Sequence, residues 1–266
     1  MGKLIIVASG KGGTGKTAVT SHLGAVLAEK GHLTALVDAD AGFRNLDIAL
    51  GMESSIVYDY SDCINGSREL DDVVLKCGES ENLYFIAAPQ SVSTSEFEDE
   101  RVKEFWTGLR NRFEYVLADA PAGMGDGFMF AARHADEAII VALAETASLR
   151  DADRVVAELE ELGTETVRLV INRMDAALVA NKILMNADDC IDVLSIPILG
   201  IIPEDSAVAE AMTSGKPLIP ARGFGAGTAF SNIAARLEGQ SVPMMKFIYE
   251  NRKGFLQKLK RLFQDR

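Results

Sequence analysis

Two groups of side chains in this sequence have the types and spacing to handle a polyphosphate. The first is the run Gly10-Lys11-Gly12-Gly13-Thr14-Gly15-Lys16-Thr17, followed by Ala18, which satisfies the pattern GxxxxGK[ST] in full. Glycines let backbone N–H groups wrap phosphate oxygens, Lys16 carries positive charge to the β and γ groups, and Thr17 offers a hydroxyl to Mg²⁺. A nucleoside triphosphate is the ligand this chemistry fits. The second group is acidic: Asp38, Asp40 and Asp119 each follow an apolar run, and carboxylates leaving buried strands beside such a loop suit a hydrated Mg²⁺. Asp38 and Asp40 are two apart and would share one face of a continued strand, so one could orient the metal's waters and the other an attacking water. Spacing does not divide those jobs, and Asx hydrogen bonds closing a turn are the plainer use of either. Asp119 suits the metal side, with a strand-end cap as its alternative.

The elements that must position these groups are legible. Leu4-Ile5-Ile6-Val7-Ala8 reads as a buried strand feeding the loop, and residues 18–29 as the helix whose N-terminus faces the anion. Further strands are expected near 33–38, 83–87, 115–119, 137–143, 166–171 and 196–201. Helices are expected over 102–113, 149–162, 206–214 and 229–237, and loops over 42–47, 90–95 and 223–227. This alternation predicts an α/β fold of three layers, a mostly parallel sheet with helices on both faces. Residues 1–245 form the expected domain and 246–266 an appendage.

Bulk properties narrow the function. With 266 residues and 48% apolar content the chain can bury one sizeable core. It offers neither an 18-residue apolar span nor a secretory leader, so the body is expected in the cytosol. Cys63, Cys77 and Cys190 lack metal-ligand spacing. The net charge of −12 argues against a protein that coats nucleic acid. Residues 246–266 hold seven Lys/Arg against two acids, a local +5 that leaves −17 on the rest.

The loop and these aspartates resemble the deviant Walker A (MinD/ParA) family of P-loop NTPases, whose loop reads KGGxGKT with an extra lysine, here Lys11. The resemblance implies ATP/ADP and Mg²⁺ as ligands, ATP hydrolysis, and a homodimer across two ATP molecules in which Lys11 reaches the phosphates held by the partner. It assigns Asp38 and Asp40 to switch I, Asp119 to Walker B, and Pro121-Ala122-Gly123 to switch II. Gly42-Phe43-Arg44-Asn45-Leu46-Asp47 is similar to the GLRNLD of the family's division-site regulators, with Asn45 positioning phosphate or water. Arg150-Asp151-Ala152-Asp153-Arg154 is similar to their RDADR, on a helix that binds a MinC-like septum inhibitor. A MinE-like activator or another polar positioning protein is a further implied partner. Asn172 and Arg173, with Pro203, Glu204 and Asp205, resemble the base-side residues. Thr14, Ala18 and Ala120 depart from the family's valine, threonine and serine, and residues 141–145 depart from its TTPE-like run.

Phe255, Leu256, Leu259, Leu262 and Phe263 recur at helical intervals between Lys258, Lys260 and Arg261. Such a segment can insert an apolar face into an anionic leaflet with its charges at the headgroups, or dock on the body. Three turns bind weakly, and a dimer presenting two gains avidity. The resemblance favours the membrane, with ATP-dependent attachment to the inner face of the cell membrane. It also keeps in view a chromosome- or plasmid-partitioning ATPase, which would show basic patches for DNA, and a flagellar-number regulator. A small-molecule kinase or metal-insertion ATPase is the reading from another class.

Overall fold

Apolar runs without polar interruption become strands buried on both faces. In β1 (Lys3–Ala8) every residue after Lys3 is buried. The computed structural model describes residues 1–41, 43–218 and 225–244. The other strands are β2 (Thr34–Asp38), β3 (Leu75–Lys76), β4 (Leu83–Ile86), β5 (Tyr115–Asp119), β6 (Glu137–Leu143), β7 (Thr166–Met174) and β8 (Ile198–Pro203). The helices are α1 (Lys16–Glu29), α2 (Leu46–Leu50), α3 (Tyr60–Ile64), α4 (Leu70–Val73), α5 (Asp99–Arg112), α6 (Asp126–Ala132), α7 (Thr146–Glu161), α8 (Ala176–Ala180), α9 (Ala187–Leu194), α10 (Ser206–Ser214) and α11 (Ala226–Leu237).

The strands form one sheet in the order β3-β4-β2-β5-β1-β6-β7-β8. All pairs are parallel except β3 with β4. The period of two sorts the side chains into two cores. Leu4, Ile6 and Ala8 join Trp106 of α5, Phe128 of α6 and Leu149 of α7. Ile5 and Val7 join Leu23 and Leu27 of α1 and Phe230 and Ile233 of α11. The expected three layers are therefore present. From β1 the chain crosses by α1 to β2, and from β5 it crosses by α6 over the opposite face to β6. Connections that part in this way open a crevice at the C-terminal ends of β1 and β5, the usual ligand position of an open α/β sheet.

Local chemistry moves several element ends. Gly15 takes φ +90°, which starts α1 at Lys16 rather than at Ala18. Leu46 and Asp47, expected in a loop, begin α2, and Ala226 and Gly227, also expected in a loop, begin α11. Thr94 and Ser95, at the end of an expected loop, begin a 3₁₀ turn that runs to Glu96. The two-residue β3 carries no sequence period. The basic segment from Lys246 onward, with its proposed membrane residues, lies outside the described residues.

At the opposite end of the sheet His32 ties three elements together. Its Nδ1 lies 2.9 Å from Glu114 Oε2 and its Nε2 lies 2.9 Å from Glu238 Oε1. Lys30 Nζ stands 3.0 Å from the other oxygen of Glu238, and the edge of Tyr115 meets the ring. Only a protonated imidazole donates from both nitrogens, and the hydrogen bond to Glu114, then that to Glu238, raises its pKa above the ordinary value. A raised folded-state pKa gives stability that is complete below the unfolded value of about 6.5 and is lost as pH rises through the folded one. Thermal unfolding should therefore show wild type losing stability as pH rises above about 6.5, and His32→Gln losing markedly less over the same rise.

Candidate functional site

The C-terminal ends of β1, β2 and β5 deliver the loop, Asp40 and Asp119 to one crevice. A cavity of about 290 Å³ is lined there by Gly12, Gly13, Gly15, Lys16, Thr17, Ala18, Asp40, Asn45, Asp119, Ala120, Ala122 and Met212. The loop is shaped by close approach. A Cβ on Gly10 would sit 2.1 Å from the backbone of Asp151 in α7, and one on Gly15 would sit 2.3 Å from Nδ2 of Asn172. Neither position has room for a larger residue. Asn172, at the end of β7, donates from Nδ2 to the Thr14 carbonyl at 2.8 Å, so this residue braces the loop from the side. Thr14 itself is buried with its hydroxyl unpartnered, which explains why the family's valine is a fair substitute there.

Lys16 is only 9% exposed, and its Nζ donates to Ser9 Oγ at 3.0 Å, while Ser9 Oγ donates to the Lys11 carbonyl at 2.7 Å. Burial lowers the Lys16 pKa, and the charges of Asp119 and Asp40 oppose that. Asp119 accepts from Thr17 Oγ1 at 2.6 Å and from Thr20 Oγ1 at 3.1 Å. Burial pushes the Asp119 carboxyl up to about 6 against those hydroxyls and Lys16. A carboxylate beside a threonine hydroxyl under a phosphate loop is the hard oxygen donor set that Mg²⁺ selects, so Thr17 and Asp119 fit the ion.

The two aspartates at the end of β2 divide. Asp38 is fully buried and spends both oxygens on backbone: Oδ1 accepts from Asp40 N at 2.9 Å, and Oδ2 from Asn45 N at 3.2 Å and Leu46 N at 3.1 Å. Burial, then Asp119, pushes its carboxyl up to about 7. In this structure Asp38 closes the turn, the Asx use, and Asp40 is the one that lines the cavity and feels the charge of Lys16. Asn45 also lines it.

The other expected residues among those described do not line this cavity. Lys11 Nζ stands 3.2 Å from Glu145 Oε2, outside the cavity lining. Arg173, at φ +55°, forms a two-pronged ion pair with Glu204 at 2.7 and 3.4 Å. Pro203 ends β8. Asp205 caps two helices, accepting from Ala207 N and Ala226 N at 3.0 Å each. Arg150, Asp153 and Arg154 are exposed on α7, and Asp151 is half-buried against the loop. Sequence reasoning missed Ser9, Thr20, Glu145 and Met212. Position signals the first three: Ser9 and Glu145 follow strand ends, and Thr20 lies three residues after Thr17 on one helix face. Nothing in the sequence marks Met212.

A mostly parallel sheet with a phosphate loop at the switch of its connections, a buried lysine, and a threonine hydroxyl on a buried aspartate defines a P-loop nucleotide-binding ATPase fold. Residues 5–218 match the family model of the CobQ/CobB/MinD/ParA nucleotide binding domain. The septum site-determining protein MinD of Bacillus subtilis is 38% identical over 99% of this chain and 98% of its own length. Among solved structures, MinD in the MinC:MinD cell division protein complex of Aquifex aeolicus superposes with a TM-score of 0.85 at 34% identity, covering 92% of this chain and 98% of that one. MinD of Pyrococcus horikoshii, complexed with Mg-ADP, gives a TM-score of 0.79 at 28% identity, covering 90% of this chain and 96% of that one. The chain belongs to the MinD/ParA family of P-loop ATPases and, within it, to the MinD septum site-determining proteins.

The division of labour between the aspartates is measurable. Asp40→Ala should keep its affinity for ATP within about threefold and lower turnover by about 100-fold or more, measured by nucleotide titration and phosphate release. Equal turnover in wild type and variant would remove Asp40 from the chemistry.

Proposed function

We propose that this protein is a Mg²⁺-dependent ATPase that marks the division site by ATP-dependent dimerisation, membrane attachment and recruitment of a MinC-like septum inhibitor. The observation that carries this reading is the cradle itself, in which Lys16, Thr17, Asp119 and Asp40 converge from three strand ends, while Lys11 stays outside.

The proposed chemistry is hydrolysis of the γ-phosphate. Backbone N–H groups of Gly12 to Thr17 and the ammonium of Lys16 stabilise charge on the phosphate oxygens, fixed in place before reaction rather than recruited from water. Mg²⁺, when bound, screens the phosphates, with Thr17 and Asp119 as its proposed holders. Asp40, on the switch segment that Asp38 anchors, orients the attacking water, and Asn45 fixes water or phosphate beside it. Asn172, Arg173, Pro203, Glu204 and Asp205 form the proposed base side, to which Asn172 brings both a donor and an acceptor.

Lys11 supports the dimer reading because, among the described residues, its ion-pair partner is Glu145 alone and both side chains are partly exposed, an interaction of at most about 1 kcal/mol. Phosphates of an ATP held by a second copy offer it a stronger, dehydrated partner. The exposed face of α7, with Arg150, Asp153 and Arg154, is the proposed surface for the inhibitor, and its backbone presses on Gly10 of the loop. A MinE-like activator or another polar positioning protein acts on the same dimer. The basic, amphipathic segment 252–266 supplies the membrane contact to anionic lipid, with two copies per dimer making attachment ATP-dependent. The −17 body disfavours a role on DNA, and no specific nucleic acid is expected.

Removal of residues 252–266 should abolish ATP-dependent co-sedimentation with anionic vesicles and leave ATP affinity unchanged. Sedimentation that persists with ATP after truncation, or ATPase stimulation by DNA in place of vesicles, would overturn the reading.

A further inference from the structure

Thr20 has no part in the phosphate-loop pattern, yet it touches Asp119, a buried acid of the site. It stands three residues after Thr17, one turn further along α1, and is itself fully buried. Its Oγ1 lies 3.1 Å from Asp119 Oδ1 and 3.0 Å from the Lys16 carbonyl, four residues back. The Lys16 carbonyl also has the Thr20 backbone N–H of a regular α-helix to accept, so it does not depend on the hydroxyl. Asp119 has no such reserve. Among the described residues its hydrogen-bond donors are two hydroxyls, Thr17 on Oδ2 at 2.6 Å and Thr20 on Oδ1 at 3.1 Å.

Those two bonds fix the plane of the carboxylate. Thr17 alone leaves Asp119 free to rotate about its side-chain axis, because one bond defines a point and not a plane. With Thr20 on the far oxygen, Oδ2 is kept at the Thr17 hydroxyl, the corner where Mg²⁺ has its proposed donors. A carboxylate that arrives already oriented loses less freedom on binding the ion. We propose that Thr20 is a positioning residue that holds Asp119 in the orientation required to receive the nucleotide-bound Mg²⁺.

The proposal rests on the reading of this site as one for Mg-ATP, and the test separates the two. A fluorescent ATP analogue is titrated against the full chain in EDTA and across a Mg²⁺ series. Thr20→Val removes the donor at nearly constant volume. Its EDTA affinity should stay within about twofold of wild type, while the Mg²⁺ concentration giving half of the metal-dependent gain should rise by roughly tenfold or more. Thr20→Ser, which restores the hydroxyl, should return within about threefold of wild type. If the valine variant does not fold, Thr20→Ala against Thr20→Ser carries the same comparison. A wild-type Mg²⁺ midpoint in the valine or alanine variant, or a serine variant as weak as either, overturns the role of Thr20. Failure of wild type to bind the analogue at all would instead overturn the nucleotide site.

Discussion

A single desolvated ammonium organises this molecule. Lys16 sits beneath its own loop at the start of α1, stripped of most of its water, between the carboxylates of Asp119 and Asp40 and on the hydroxyl of Ser9. Neither sign is comfortable alone: burial lowers the pKa of Lys16 and raises those of Asp119 and Asp38. Their proximity offsets part of that cost, and the polyphosphate the loop is shaped for would complete the compensation. The constraint reaches far along the chain. It requires the C-terminal ends of β1, β2 and β5 to converge, which the register of the parallel pairs enforces by setting Asp38 level with Asp119. It also requires the loop to be rigid, which Asn172 from β7 and α7 at Gly10 provide.

The same rigidity links the cradle to surfaces away from it. Gly10 leaves no space between the loop and the Asp151 backbone, so the first turns of α7 and the loop pack as one body. Glu145, the residue before α7, is also the one that holds Lys11. The loop, its outer lysine and the charged helix are thus in direct mechanical contact, which supports nucleotide state and partner recruitment as one proposed event. On the proposed base side, Asp205 joins the start of α10 to the start of α11.

Much of this was legible in the sequence because the signals are local. Unbroken apolar runs marked the central strands, and the glycine-rich spacing marked the cradle in full. Asp119 was legible as the first acid after a buried strand. What escaped depended on contacts between distant segments. That Asp38 serves the backbone while Asp40 faces the cavity follows from where the chain turns, which residues of equal chemistry two apart do not reveal. Asn172 was read as a base ligand from resemblance, and its bond to the Thr14 carbonyl appears only when β7 is laid beside the loop. Arg173 and Glu204 similarly find each other across a strand pair. The start of α11 was missed because Ala226-Gly227 reads as loop until Asp205 is seen to cap it.

In the proposed function, ATP completes a half-built site by drawing in a second copy. Sedimentation equilibrium of the Asp40→Ala chain, with Mg²⁺ and either ATP or ADP, measures this directly. The expected mass is near twice 28.7 kDa with ATP and near 28.7 kDa with ADP, with the ATP dimer lost in the double variant Lys11→Ala, Asp40→Ala. A monomer at saturating ATP, or a dimer indifferent to nucleotide and to Lys11, would contradict it.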